Sequence, residues 1–129
     1  MRVVLSAPAK YHFYDLARQL AKRGSLTALM TGYPWFKVKN QTDLVPYIRS
    51  YPLFHLVYRA FLNSIRKDLQ YWDKTYFDDV VSRHLPECDV FMGNAASCYK
   101  SAQEARKMGA SIVVDRPCSH IQLQDQLLQ

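Results

Sequence analysis

Several things are scarce or missing in this chain, and each absence closes off a class of protein. Its three cysteines, Cys88, Cys98 and Cys118, are odd in number and lack the C-x-x-C spacing of a metal or redox site, so they read as reduced thiols in or near a core. No apolar run approaches the roughly 20 residues of a membrane-spanning helix. The opening Met1-Arg-Val-Val-Leu-Ser-Ala-Pro8 is too short and too strand-like for a signal peptide, so a cytoplasmic protein is the expectation. Neither G-x-G-x-x-G nor G-x-x-x-x-G-K-[ST] occurs, so no dinucleotide fingerprint and no P-loop is written here. A G-x-S-x-G nucleophile elbow is also missing. The four histidines are scattered, with no carboxylate at ligand spacing, so neither a metal nor a bound cofactor is expected.

What remains is an ordinary folded composition. At 129 residues, 49% hydrophobic and 22% charged, the chain suits one globular domain spanning 1–129. The formal charge of +6 is unevenly placed. Between Trp35 and Lys67, Lys37, Lys39, Arg49, Arg59, Arg66 and Lys67 face a single acid, Asp43, with Tyr47, Tyr51, Phe54, Tyr58 and Phe61 interleaved. Two readings of that segment stand: an amphipathic surface meeting anionic lipid or a lipid-linked acceptor, or core aromatics with a solvated basic rim. No nucleic-acid motif accompanies it.

Taken in order, the chain alternates strand and helix. Arg2–Ala7 reads as a first, central strand. Phe13, Leu16, Ala17, Leu20 and Ala21 share one face of a helix that Gly24 stops, and Leu26–Thr31 is a second strand. Residues Asp43 to Ser50 suit a short strand or extended edge, since Pro46 argues against a central one. Leu53 to Arg66 is expected to be helical. A helix over Asp68 to Leu85 carries the apolar stripe Leu69, Trp72, Tyr76, Phe77 and Val80. The run Cys88–Gly93 returns as a strand. Ser97 is positioned to cap the helix Cys98–Met108, whose narrow apolar face is Ala102, Ala105 and Met108. The β-branched run Ser111–Asp115 then suits a parallel strand buried on both faces, stopped by Pro117. This pattern predicts an α/β fold: a Rossmann-like, doubly wound, mainly parallel sheet with helices on both faces, in three layers.

Ligands of open parallel sheets bind beyond the carboxyl ends of the strands, which singles out two loops. After the first strand come Lys10, Tyr11 and His12, where a helix N-terminus attracts anions; a solvated loop with His12 in the helix cap is the plainer alternative. After the last strand come Arg116, Ser119 and His120. Arg116 offers a bidentate fork to phosphate or carboxylate, and His120 offers an adjustable hydrogen-bonding group. Against that, Arg116 paired with Asp115 and His120 capping a helix would be structural. Ile121 to Gln129 reads as a helix that runs on with no capping glycine or closing strand, as at a point inside a longer chain.

The opening Met1-Arg-Val-Val-Leu-Ser, the helix Asp15–Gly24, Thr31-Gly-Tyr-Pro34, Cys88-Asp-Val-Phe-Met-Gly93 and Val113-Val-Asp-Arg-Pro-Cys-Ser-His120 together resemble the N-terminal domain of a GT-B glycosyltransferase of the "glycosyl transferases group 1", family-four kind. The resemblance implies two Rossmann-like domains facing across a cleft, with residues 1–129 as the acceptor-side half. It implies that Lys10, Tyr11 and His12 line the cleft with Gly93, Asn94, Arg116 and Ser119. His120 would approach the transferred sugar as the catalytic residue. The nucleotide-sugar donor would be held mainly by a second domain, so these 129 residues would be inactive alone, and the family needs no bound metal. The hydroxyl acceptor could be lipid- or glycan-linked, with peripheral membrane contact through 35–67. Pro8-Ala9 departs from the glycine pair that many members carry in the first loop. The rival reading is a stand-alone α/β binding module without catalytic activity.

Overall fold

The computed structural model describes residues 1–8, 12–32, 43–51, 69–116 and 126–128, without the side chains of 69–73. Five strands and three long helices alternate along them: β1 Val3–Ala7, α1 Phe13–Lys22, β2 Leu26–Thr31, β3 Ile48–Ser50, α2 Leu69–His84, β4 Val90–Asn94, α3 Tyr99–Lys107 and β5 Ser111–Asp115. The strands form one all-parallel sheet in the order β3-β2-β1-β4-β5. Chain order reverses between β1 and β4, the switch point of a Rossmann-like three-layer fold. Residues 126–128 are helical, with Leu127 and Leu128 exposed.

β1 is central because its side chains are apolar on both faces. Val3, Leu5 and Ala7 join a core with α1 through Phe13, Tyr14 and Ala17, while Val4 joins a second core with Phe77 and Val81 of α2 and Ala105 of α3. Strand alternation alone would put Leu26 and Ala28 of β2 on the same face. Instead Leu26 enters the first core and Ala28 the second, because the pairing with β1 shifts between Val3 and Val4 and leaves Thr27 as the extra residue of a bulge. Helices α1 and α3 both stop at a glycine in the left-handed region, Gly24 and Gly109. At each, the following amide reaches back to a helix carbonyl, Ser25 to Leu20 and Ala110 to Ala105, which satisfies the last turn.

Three expectations need correction. β5 has the expected bounds but is an edge strand: Ser111, Val113 and Val114 are exposed, and only Ile112 packs against the second core, because no further strand lies beside it among the described residues. On α2 the inward face is Phe77, Asp78 and Val81, while Tyr76 is exposed and Val80 half-buried. Ser97 does not cap α3; its Oγ is buried with no hydrogen-bond partner among the described residues. The expected helix Leu53–Arg66 and most of the segment Trp35–Lys67 lie outside the described residues.

Candidate functional site at the carboxyl edge

Parallel pairing brings the carboxyl ends of all five strands to one edge of the sheet. The faces are fixed by the cores: Val90 and Met92 pack on the α1 side, so Asn94 two residues on shares that side. Ile112 packs on the other side, so Asp115 also faces α1. His12, the residue from which α1 starts, stands at the same edge, its Nε2 3.1 Å from Oδ2 of Asp115. The histidine side chain is 54% exposed and the aspartate side chain 21%. Asp115 Oδ2 is itself buried and accepts no aligned hydrogen bond among the described residues, so it keeps acceptor capacity. The ring of His12 also lies 5.1 Å from that of Phe13, whose burial fixes the helix start beneath it.

The other expected residues fall into place around this pair in different ways. Asn94 is buried, and its Oδ1 accepts from the amide of Ala96, which turns the chain after β4. Gly93 pairs with Ser6 in the sheet and faces the opposite side, where a β-carbon would collide with Cβ of Cys98. Its glycine serves close packing beneath the 95–98 turn. Arg116 is exposed and has neither a hydrogen bond nor an ion pair among the described residues. Lys10, Tyr11, Ser119 and His120 lie outside the described residues.

A residue that the sequence did not single out governs the other helix end. Asp78 of α2, 5% exposed, accepts from the amide of Lys100 at 2.7 Å, the amide of Ser101 at 2.9 Å and Oγ of Ser101 at 2.6 Å. Its carboxylate occupies the anion-attracting N-terminus of α3, so that terminus is already filled from within. In the sequence it is one acid beside the apolar stripe, next to Phe77, and no local spacing marks it.

Cys98, the residue that precedes α3, has its thiol pKa pushed up to about 11, chiefly by burial and secondarily by the negative charge of Asp78. Burial also raises Cys88. Both are free thiols in the second core and poor nucleophiles. Among the described residues no three histidine, cysteine or acidic side chains converge as metal ligands would, and no helix is long and apolar enough to cross a membrane. A groove of about 670 Å³ lies on the far side of the sheet, between α3 and β5, lined by Ala102, Gln103, Arg106, Ile112 and Val114. It sits on the opposite face from His12 and Asp115. No protein-family model, curated protein or solved structure matches the chain.

Proposed function

We propose that the chain is the acceptor-binding domain of a glycosyltransferase that moves a sugar from a nucleotide-sugar to a hydroxyl acceptor. The observation that carries this reading is the His12–Asp115 pair, assembled from the first loop and the last strand at the carboxyl edge, beside the switch between β1 and β4. A neutral imidazole donates from one nitrogen and accepts at the other, and a carboxylate oxygen with spare lone pairs accepts. That combination suits a ligand rich in hydroxyl groups. The exposed guanidinium of Arg116, next in the chain, adds a fork for a phosphate or carboxylate on the same ligand. Acceleration in this reading comes from positioning the acceptor hydroxyl and from stabilising charge on the departing phosphate. The donor contacts belong to a second domain, and the resemblance assigns His120 to the transferred sugar. Membrane contact through 35–67 and a lipid- or glycan-linked acceptor belong to the same reading.

The test is a titration of the isotopically labelled chain by two-dimensional NMR with methyl glycosides, UDP-glucose, GDP-mannose and inorganic phosphate. Saturable shifts centred on the amides of His12, Asn94 and Asp115 are expected with the methyl glycosides, which stand in for the acceptor, weakened roughly tenfold in Asp115→Asn, and weaker ones with the two nucleotide-sugars, whose main contacts lie in the second domain. Shifts that are absent, that scatter over the surface, or that survive the substitution undiminished would refute the proposal. Shifts at the same amides with inorganic phosphate alone, and none with any glycoside, would also refute it, in favour of a non-enzymatic anion-binding module.

A further inference from the structure

The two edges of the sheet differ. β3 has three residues and places the exposed Arg49 at its centre, and a short edge strand with a charge is a standard safeguard against strand addition. β5 has five residues, no lysine, no proline and an unbroken register with β4. Val113 is 44% exposed on one face and Val114 52% exposed on the other. All-parallel sheets are almost always covered on both faces, so among the described residues this strand is the uncovered corner of the fold.

Backbone directions fix what can pair with it. The amide of Ser111 donates to Asp89 O, and the amide of Ala95 donates to Asp115 O, so Ser111, Val113 and Asp115 turn their peptide groups toward β4. Ile112 and Val114 therefore turn theirs outward, toward the open edge.

We infer that this edge joins a second copy of the same chain by antiparallel β5–β5 pairing about a two-fold axis at Val113. That register sets Ile112 opposite Val114 of the other copy, and the outward peptide groups of both meet as hydrogen-bonded pairs on each side of the axis. It sets Ser111 opposite Asp115, a hydroxyl donor facing a carboxylate. It sets Val113 against its own counterpart in a non-hydrogen-bonded position, where side chains approach most closely. Every position meets a complementary one under the two-fold operation, as an isologous interface requires. The Ile112–Val114 pairs also run along the floor of the α3–β5 groove, extending one apolar strip across both copies. The axis at Val113 is what distinguishes this register from its neighbours: moving it to Val114 sets Asp115 against Val113 and forfeits the polar match.

Sedimentation equilibrium over roughly a hundredfold range of concentration reads the association directly. Twice the monomer mass at the upper end is expected. Val113→Lys, which places two like charges face to face on the axis, should weaken association by more than about tenfold, whereas Val45→Lys, at another exposed valine, in the turn before β3, should not. In a Cys118→Ser background, Val113→Cys should oxidise to a symmetric intermolecular disulfide, because non-hydrogen-bonded positions bring the α-carbons to about 4.5 Å. Val114→Cys, opposite Ile112, should not. A monomer at every concentration overturns the inference, including the case in which residues beyond Arg116 cover the edge from within the same chain. A dimer that tolerates Val113→Lys, or that cross-links through Val114→Cys in preference to Val113→Cys, overturns it as well.

Discussion

Removing the carboxylate of Asp78 should cost the chain a large share of its stability. Asp78→Ala deletes one acceptor that serves three donors. A hydrogen bond to a charged group contributes about 1.5–3 kcal/mol net, and a buried donor left without a partner costs about 1–3 kcal/mol. The three losses do not add in full. Lys100 is exposed, so its amide finds water, whereas Ser101 is fully buried and both its amide and its hydroxyl are stranded. Relief from holding a charge in a dry site works the other way. A net loss of about 3–4 kcal/mol follows, against a total of about 5–15 kcal/mol for a domain of this kind, equivalent to roughly 10–15 °C in Tm. Asp78→Asn keeps one oxygen for Ser101 but turns an N–H toward the Lys100 amide, and about half that loss is expected. Urea denaturation followed by circular dichroism measures both, and an unchanged m-value would show that only stability moved. If Asp78→Ala lies within about 1 kcal/mol of the parent, the carboxylate is not what holds α3 to α2, and the reasoning fails.

Gly93→Ala places a β-carbon against Cβ of Cys98 and 3.0 Å from Cε1 of Phe91; a destabilisation on the order of 3 kcal/mol is expected in the same denaturation assay, and a neutral result would mean that the 95–98 turn moves freely. With its pKa near 11, the Cys98 thiol is only about one-thousandth ionised at pH 8, against about a quarter for an unperturbed thiol. Its alkylation by iodoacetamide, followed by peptide mass spectrometry, should run more than about a hundredfold slower than a free cysteine and speed up with pH. The Arg2 guanidinium and amide hold the Asp89 carboxyl below the usual carboxylate range. A depressed folded-state pKa gives stability that is present above the ordinary carboxylate pKa and lost as pH falls through the folded value. The urea midpoint should therefore fall less steeply on acidification in Asp89→Asn than in the parent, and parallel curves would count against the pairing.

The sequence made most of the scaffold legible because periodicity reports burial. β2 has the expected bounds, α1 and α3 end where Gly24 and Gly109 stop them, and among the described residues the strands and helices follow one another in the expected order. Edge against centre was not legible. Ser111-Ile-Val-Val-Asp115 is as apolar as a strand buried on both faces, and only its position at the end of the order β3-β2-β1-β4-β5 shows that it is not one. At the site, the rule that ligands gather at carboxyl ends indicated the loops after the first and last strands, but Asp115, the residue that His12 meets there, was read only as the end of a strand and a partner for Arg116. Their meeting depends on a contact between positions more than a hundred residues apart, which no local spacing encodes. Asp78 was missed for a similar reason. A capping residue was sought next to α3 at Ser97, whereas the cap comes from a different helix.

β1 has one further consequence, for how the molecule comes apart. The strand is the shared wall of two cores, with Leu5 and Ala7 in one and Val4 in the other. Peeling α1 away exposes one side of that wall to water and leaves α2 and α3 resting on a strand that has lost its backing; loosening α2 and α3 does the same to α1. The two cores therefore melt together. A variant that weakens either face shifts a single cooperative transition, and damage on one side of the sheet is felt in full on the other.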